Sequence, residues 1–378
     1  MNNNNLKQYE LNNTNVSTNW VSSPSLSTPS FGGICNFDIN CIGKIEEVYA
    51  VFNLSAISGC TQTLNTSPII CSGFKFFSTT NYSYQGTIID TVTSDVNFIN
   101  SQIKYEDSDR IFINVSSANY SSSSSRYALG LTSNSYLVQL NSFITQVKPE
   151  ILNQNHVIRC SMQLNTLSDI VDFTSGAPIC TINSISLLVK VNKFDNNILS
   201  YKLNQLSRLN RYQNIFSSNL YQTYNVLSGS TSSSVTLSNF INANINYIYF
   251  VIRPITGLNK SSGNSYINYI SGFNILNSSN ESLCGGLITS SQALYILNRD
   301  NTKGSFCTES SYGNVFFWHH SKNMLETIKS GMPDSRQYNG SESLNLNFLS
   351  ALSVSVQIDV FASAVSIFNQ SVSGCQKL

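Results

Sequence analysis

Charged side chains are scarce in this sequence of 378 residues. Lys and Arg number 21 and Asp and Glu 20, which is 11% of the chain and a net charge of +1, against roughly 25% in ordinary soluble domains. The cations are scattered, whereas counterion release from nucleic acid and attraction to an anionic membrane need clustered cations. We therefore expect no direct sequence-specific nucleic-acid binding. A surface wetted by Asn, Ser, Thr and Gln suits lateral self-association; an AT-rich genome would favour the same composition.

Closely paired cysteines are also lacking. The chain has nine cysteines, an odd number, widely spaced and without a CxxC pair, which argues against a zinc site and against a dense disulfide scaffold. We predict that most are reduced, semi-buried small apolar residues, which favours a reducing cytosol at synthesis. The nine are Cys35, Cys41, Cys60, Cys71, Cys160, Cys180, Cys284, Cys307 and Cys375.

Long apolar runs are missing too. Met1 to Asn5 is polar and no apolar segment follows it, so we expect no signal peptide and a protein that is soluble when made. The most hydrophobic stretch, Leu349 to Phe368, has polar residues at alternate positions, which is typical of a strand and not of a lipid-spanning helix. These positions are Ser353, Ser355, Gln357 and Asp359.

Motifs for catalysis are few. The adjacent pair His319-His320 would face opposite sides of a strand; a zinc site with Cys284 and Cys307 is the alternative to a satisfied or exposed histidine pair, which we favour. His156 is the remaining histidine, and no G-x-S-x-G elbow is present.

Two further patterns contain residue types that could take part in chemistry. Strand alternation would separate the Glu46 and Glu47 carboxylates, so we interpret them as an edge-strand or loop pair. Gly32-Gly33 and Cys284-Gly285-Gly286 lack the context of a phosphate-binding loop and indicate turns. We predict no catalytic, cofactor-binding or metal-binding residue, no cofactor and no enzymatic activity.

What the chain does contain is strand pattern, interrupted in the middle. Between Thr181 and Tyr212, apolar residues first alternate with period two through Ile185, Leu187, Val189 and Val191. Asp195 to Asn197 then offer N-cap oxygens. Behind them lies a near-helical stripe, formed by Ile198, Tyr201, Gln205, Leu206, Leu209 and Tyr212.

Short strands without intervening helices are predicted on both sides of this passage, which favours β sandwiches over an α/β sheet. A chain of this length favours two domains. In the first half the strands are predicted around Ile45–Leu54, Phe74–Phe77, Gly86–Val92, Val96–Ile99, Ile111–Val115, Tyr136–Leu140 and His156–Cys160, with a serine loop at Ser121–Ser125. In the second half they are predicted around Val235–Leu237, Ile245–Val251, Tyr266–Ile275, Phe316–Trp318, Leu344–Phe348 and Leu352–Val360, with a short helix after Ser321 and a turn at Asn339-Gly340.

These patterns predict five segments. They are an N-terminal arm (1–32) anchored by Trp20 and Val21, a first β unit (33–195), a linking helix (196–212), a second β unit (213–370) and a C-terminal tail (371–378). The arm carries only Lys7 and Glu10 as charges, so it cannot grip a genome through basic residues.

This organisation resembles the double jelly-roll major capsid proteins of the adenovirus and membrane-containing phage lineage, which includes virophages. Three stretches carry the resemblance: Ile42–Leu54 looks like the opening strand of a first barrel, Ile185–Tyr212 like the strand-then-helix passage between barrels, and Tyr338–Ala362 like the closing hairpin of a second barrel. The low charge departs from many members of the family.

The resemblance implies an all-β fold of two consecutive jelly rolls and a protein that forms homotrimers. Such trimers would tile an icosahedral virion shell after synthesis in the host cytoplasm. Penton or minor capsid proteins, and an internal membrane reached by the N-terminal arm, are the further partners that it implies.

Other functions remain open at this point. A β-sandwich adhesin or receptor-binding protein would also use a Ser/Asn/Thr-rich surface with Tyr, and a minor capsid protein of the penton or spike type lies between the two, usually with a single jelly roll. An all-β hydrolase would require Asp, Glu and His to cluster in one cleft.

Overall fold

The computed structural model describes most of the chain: residues 17–61, 69–70, 72–103, 107–118, 129–153, 156–209, 212–255, 269–292, 315–320, 335–370 and 375–377. The predicted loop Ser121–Ser125, the helix after Ser321 and Cys307 lie outside these residues. None of the helices within them is long and apolar enough to cross a membrane.

The first half is built almost entirely of strands. They are β1 (Ser17–Pro24), β2 (Ile34–Ile39), β3 (Gly43–Leu54), β4 (Ser58–Thr61), β5 (Ile69–Ile70), β6 (Phe77–Tyr84), β7 (Thr87–Thr93), β8 (Asn134–Gln139), β9 (Glu150–Ile151), β10 (Ile158–Leu164), β11 (Val171–Asp172), β12 (Ser175–Ile179) and β13 (Ile182–Lys193). Its helices are α1 (Ser94–Ile103), α2 (Asp107–Ser116), α3 (Phe143–Val147) and α4 (Leu167–Ile170), with a 3₁₀ turn at Gly73–Lys75.

The second half repeats this style after helix α5 (Asn196–Leu209). Its strands are β14 (Tyr212–Val226), β15 (Ser232–Thr236), β16 (Asn244–Pro254), β17 (Ile270–Leu276), β18 (Ile288–Thr289), β19 (Val315–His319), β20 (Arg336–Gln337), β21 (Ser343–Phe348), β22 (Val356–Gln370) and β23 (Cys375–Lys377), with a 3₁₀ turn at Ser238–Phe240.

Each half has two principal antiparallel sheets with the same strand order, and the first half also has the two-stranded sheets β11-β5 and β12-β4. In the first half the sheets run β1-β13-β3-β8 and β2-β10-β6-β7; in the second they run β14-β22-β16-β19 and β15-β21-β17-β18. When the eight principal strands of either half are numbered along the chain, the two orders are 1-8-3-6 and 2-7-4-5. Eight strands wound in this way between two facing sheets are a jelly roll. The prediction of an all-β double jelly roll is therefore confirmed, although the domain bounds 33–195 and 213–370 stay predictions.

The linking helix forms where its cap predicts. The Asp195 Oδ1 atom accepts a hydrogen bond of 2.7 Å from the Ile198 backbone N–H, which satisfies one of the free donors at a helix start. The helix ends at Leu209 and Tyr212 already begins β14, so the predicted range 196–212 was too long. Tyr212 matched the helical spacing, yet its backbone pairs with Gln370 in the sheet.

Two predicted strands are helices. Val96, Phe98 and Ile99 lie in α1 and are buried, and the Thr93 hydroxyl accepts from the Val96 N–H at its start. In α2 only Ile113 of the alternating set is buried, while Ile111 and Val115 are exposed. Over five residues, alternation and helical spacing are hard to distinguish.

The phenylalanine cluster Phe74–Phe77 was also assigned incorrectly as one strand. Gly73–Lys75 is a 3₁₀ turn in which the Ser72 hydroxyl accepts from the Phe74 N–H, and β6 begins at Phe77.

Three predictions about the edges of the barrels were wrong. Ser17–Pro24 is not part of a separate arm, because it pairs along its length with β13 as the edge strand of the first sheet. The stretch containing β3 is therefore not the opening strand but a central one. The closing hairpin does not exist, because β21 pairs with β15 and β17 in one sheet while β22 pairs with β14 and β16 in the other. In the tail, Cys375–Lys377 pairs with β22.

Two apolar cores fill the molecule. The second core lies between the two sheets of the second unit and includes Ile248, Phe250 and Val360. The first core fills the first unit and continues onto the second, where it takes in Tyr249 and Phe361. The sheet β14-β22-β16-β19 is thus buried on both faces, which explains why the sequence of β22 is apolar almost throughout.

Candidate functional site

The two jelly rolls meet along one face of the sheet β14-β22-β16-β19. Phe143 of α3 packs on Phe216 and Phe368, with ring centroids 6.1 and 5.6 Å apart. Phe368 also meets Tyr84 at 6.1 Å. We call this contact the seam; it buries large aromatic rings from both units and fixes how the units sit together.

Four charged side chains cross the seam. One guanidinium nitrogen of Arg253 in β16 contacts Asp359 of β22 and lies 2.9 Å from an Asp95 carboxylate oxygen in α1. The other Asp95 oxygen is 2.5 Å from Lys75 Nζ. The Asp359 side chain is fully buried, and the network has two positive and two negative groups. Buried charges of this kind are tolerated only when paired and hydrogen-bonded.

Neutral donors complete the shell of Asp359. Its Oδ1 atom accepts from Tyr221 OH at 2.9 Å, from Thr223 Oγ1 at 2.8 Å and from Gln357 Nε2 at 2.8 Å. Burial, together with the Asp359 charge, raises the pKa of Tyr221 to about 12, so the phenol stays a donor. The carboxylate is thus held by a cation on one oxygen and by hydroxyl and amide groups on the other.

Side-chain amides add main-chain contacts across the seam. Gln146 in α3 accepts from the Ser217 N–H at 2.8 Å and donates to the Ser217 carbonyl at 3.0 Å, as a neighbouring strand would. Gln370 donates to the Glu150 carbonyl at 2.8 Å. The seam is therefore specified in register as well as buried.

The first unit has a sheet face that corresponds to the seam face of the second. In β16, Tyr249 pairs with Phe361 and Phe317; in β3, Tyr49 pairs with Leu188 and Gln139. Both strands carry a register shift three residues before the tyrosine, at Glu46 in β3 and at Asn246 in β16. The outward faces of the two sheets are therefore equivalent positions of the same fold.

A cluster of aromatic and charged groups lies on this outer face of the first unit. Trp20 is 50% exposed and its ring centroid lies 5.8 Å from that of Tyr49, with Lys190 Nζ 5.7 Å from the indole centroid. Lys190 and Tyr49 OH each approach Glu47 to 2.7 Å. Burial opposes ionisation of Glu47, but these hydrogen bonds outweigh it and hold the pKa of that carboxyl below its usual range.

The Glu46-Glu47 prediction was wrong about geometry. The bulge inserts Glu46 as an extra residue, so alternation fails and both carboxylates border one cavity of about 340 Å³. Gln139 and Phe112 border it as well. Glu46 pairs with Lys148 and accepts from Asn192 at 3.0 Å, so each carboxylate has its own cation. A β-bulge leaves little trace in sequence beyond the two adjacent polar residues.

The remaining sequence candidates lie apart. His320 Nε2 is 2.8 Å from Tyr338 OH, and burial, with Arg336 and His319 nearby, lowers the pKa of His320 to about 4. His156 is buried beside Asn153 and Tyr84. Burial raises the pKa of the Cys284 thiol to about 12. Within the described ranges no three His, Cys, Asp or Glu side chains are placed to hold a metal ion.

The cysteines that can be described are free thiols, as predicted. Burial raises the pKa of each of them, which leaves them protonated at neutral pH. They are Cys35, Cys41, Cys60, Cys160, Cys180 and Cys284.

Comparison with solved structures finds the same fold in proteins of viruses and virophages. PBCV-1 VP54, fitted into a reconstruction of the virophage Sputnik, superposes with a TM-score of 0.74 at 11% identity over 96% of this chain and 97% of that chain. The Faustovirus major capsid protein gives 0.66 at 8% identity, over 93% and 90%. The mavirus major capsid protein gives 0.53 at 11% identity, over 95% and 90%. No protein-family model and no curated protein sequence matches. The likeness shows the double jelly-roll fold over nearly the whole chain.

Proposed function

We propose that this protein is a major capsid protein, a structural protein without enzymatic activity, which assembles as trimers that tile an icosahedral virion shell. The observation that carries the proposal is the presence of two jelly rolls of identical strand order in one chain, joined by a specific seam. Two of the solved structures with this fold that were compared above, those from Faustovirus and mavirus, are major capsid proteins by name.

The surface chemistry supports the same function. A net charge of +1 on 378 residues leaves little long-range repulsion between copies. Three of the described ion pairs are single pairs at partly exposed positions, such as Arg159 with Asp38 at 2.8 Å. Many copies can then pack side by side, and closed symmetry multiplies small contact energies.

The proposal extends to where the protein works and what it meets. The thiols described above fit synthesis in a reducing host cytoplasm, before incorporation into the virion. Strand β1 starts at Ser17 on the edge of a sheet, and residues 1–16 precede it in the sequence. We assign to them contacts with penton or minor capsid proteins and with an internal membrane. Direct sequence-specific contact with nucleic acid is not part of the proposal.

Self-assembly is the property to test. Purified protein would be measured by mass photometry and sedimentation velocity from nanomolar to micromolar concentration, and the assembled species imaged by cryo-electron microscopy. We expect a trimer with a pseudo-hexagonal outline of six barrels. A protein that stays monomeric throughout and forms no shell with its partner proteins would refute the proposal.

A receptor-binding or adhesin role is the alternative that the β surface leaves open. A glycan array distinguishes it: specific binding by a monomeric chain would favour the alternative, whereas a trimer without glycan binding favours the capsid.

A further inference from the structure

We propose that Asn339 is a site of spontaneous deamidation, at which the folded chain itself supplies the groups that the reaction needs. The modification replaces the Asn339 amide with a carboxylate, through a cyclic imide formed with the Gly340 nitrogen. It needs no enzyme and no cofactor, and it does not depend on the capsid function proposed above. The site is the Asn339-Gly340 turn noted in the sequence, which lies between Tyr338 and strand β21.

The reaction has two steps. The Gly340 backbone nitrogen attacks Cγ of Asn339, so an N–Cγ bond forms, the Cγ–Nδ2 bond breaks, and the Gly340 N–H proton leaves with the amide as ammonia. Water then opens the imide at either carbonyl and gives aspartate or isoaspartate, without oxidation or reduction. The first step is assisted by a base at the N–H, by donors to the carbonyl oxygen and by access of the leaving group to water.

Glu342 is placed to act as the base. Its Oε2 atom accepts a hydrogen bond from the Gly340 N–H at 3.0 Å, and both of its carboxylate oxygens accept from the Asn339 N–H at 3.1 Å. Glu342 is only 4% exposed, and its own carbonyl is held by the Leu237 N–H at 2.8 Å. A carboxylate fixed at hydrogen-bond distance from the proton it removes meets the geometric requirement for a general base.

Ser341 holds the carbonyl group that is attacked. The Asn339 Oδ1 atom accepts from the Ser341 N–H at 2.9 Å and from the Ser341 hydroxyl at 2.5 Å. Negative charge develops on this oxygen when Cγ becomes tetrahedral, and donors already aimed at it stabilise that charge, as in an oxyanion hole. The Ser341 side chain is exposed, so its hydroxyl can be removed without leaving a buried cavity.

The leaving group and residue 340 leave the reaction unobstructed. Asn339 is exposed, so ammonia departs directly into water. Gly340 has φ +83°, a conformation that glycine adopts at no steric cost, and it has no side chain to shield its nitrogen. The turn is also held by its surroundings, because a Cβ atom at Gly340 would lie 3.1 Å from Cβ of Ile241. The reacting groups are therefore positioned in advance.

Asn277 provides a comparison within the same chain. Its Oδ1 atom also accepts from two backbone N–H groups, those of Ser279 and Glu281, both at 2.9 Å. Here, however, the Glu281 carboxylate accepts at 2.8 Å from the Asn277 side-chain amide, which is the group that would have to leave. The next residue is Ser278 and not glycine. We therefore expect Asn277 to deamidate more slowly than Asn339.

The modification alters the charge and the stability of the turn. Each event adds one negative charge, which cancels the net charge of +1, and it places a second carboxylate in the turn that already contains Glu342. Like charges at such close range repel each other. Tyr338, just before the turn, is buried in the second core and its OH lies 2.8 Å from His320 Nε2. Deamidation therefore weakens the packing at this end of the second unit.

The test follows deamidation of the full-length folded protein during incubation in heavy-oxygen water, by peptide mapping with mass spectrometry. Passage through the imide introduces the label at residue 339 and gives a mixture of aspartate and isoaspartate. We expect Asn339 to react faster than Asn277. Glu342→Gln and Ser341→Ala should each slow the reaction at Asn339 by roughly tenfold or more, because each removes a group that acts on the reacting atoms.

Two controls separate catalysis by the fold from other effects. Glu281→Gln makes the same substitution at the Asn277 turn and should leave the rate at Asn339 unchanged. In urea the chain is unfolded, so Glu342→Gln should no longer slow the reaction.

Thermal unfolding shows whether each variant is folded, and Ser341→Ala decides the question if Glu342→Gln is not. A rate at Asn339 that is unchanged or faster in the folded variants would overturn the inference. A slowing of equal size in urea would also overturn it, because the folded turn would then have no part in the reaction.

Discussion

The charge network across the seam makes a quantitative prediction about Arg253. Replacing it with Met keeps most of the volume but leaves the fully buried Asp359 carboxylate without a cation, and it removes one of the two cations that contact Asp95. Removing one partner of a buried pair costs about 3–5 kcal/mol, which is roughly a 150- to 5,000-fold change in the equilibrium constant for unfolding. The hydroxyl and amide donors to Asp359 place the expected loss nearer the lower figure.

Urea denaturation, followed by tryptophan fluorescence and far-UV circular dichroism, measures this loss. Arg159→Met is the matched control, because the Arg159–Asp38 pair has similar contact distances but the Arg159 side chain is 53% exposed. An exposed pair contributes little to stability because water and salt screen it. The double variant Arg253→Met with Asp359→Leu should recover part of the stability, since it removes the unpaired charge. Equal losses for Arg253→Met and Arg159→Met would refute the view that the network is buried and specific.

Three further predictions concern local features. The pKa of His320 is lowered to about 4 in the folded protein and is near 6.5 in the unfolded chain. The stability contributed by the neutral imidazole is therefore full above pH 6.5 and is lost as the pH falls towards 4. Melting temperatures across this window should fall less steeply in His320→Gln than in the wild type, and parallel profiles would contradict the assignment. Gly43→Ala should lower the free energy of unfolding in urea by about 1–3 kcal/mol, because Gly43 has φ +146° and a Cβ atom would approach the Asn192 carbonyl oxygen to 2.5 Å. Gly86→Ala is the control, because Gly86 also has a positive φ but open space around it, and it should cost less. A larger loss for Gly86→Ala than for Gly43→Ala would contradict the importance of the contact with Asn192. Asp195→Ala should cost about 1 kcal/mol by loss of the helix cap, whereas Asp195→Ser should retain most of the stability; equal losses would exclude capping as the cause.

Sequence pattern predicted the parts of the fold that are governed by burial on one face. Ile185 to Val191 alternates because one side of β13 faces the first core, and Asp195 was recognisable as a cap because its chemistry is local. The number and spacing of such strands predicted β sandwiches, and the family resemblance implied that they form a double jelly roll. Helices α1 and α2 were mistaken for strands because the apolar patterns in them are short. Over four or five residues, a period of two cannot be distinguished from a period of 3.6.

The Glu46-Glu47 cavity and the charge network of the seam could not be predicted from the sequence. Glu46 and Glu47 share a face only because of a bulge, and pairing partners such as Lys190 are more than a hundred residues away. Arg253 and Asp359 gave no local signal either, since each lies in a different strand and they are more than a hundred residues apart in the sequence. The hairpin predicted for the last two long strands failed because a jelly roll places them in opposite sheets, which neighbouring strands in sequence do not reveal.

The sheet that belongs to two cores also limits how the molecule can be divided. Cutting the chain after helix α5 would leave Tyr249 and Phe361 uncovered on one fragment and Phe143 uncovered on the other. Each fragment would then expose a large apolar surface and would aggregate instead of folding independently. The two barrels therefore form one folding unit, and a substitution that destabilises either barrel destabilises the entire protein.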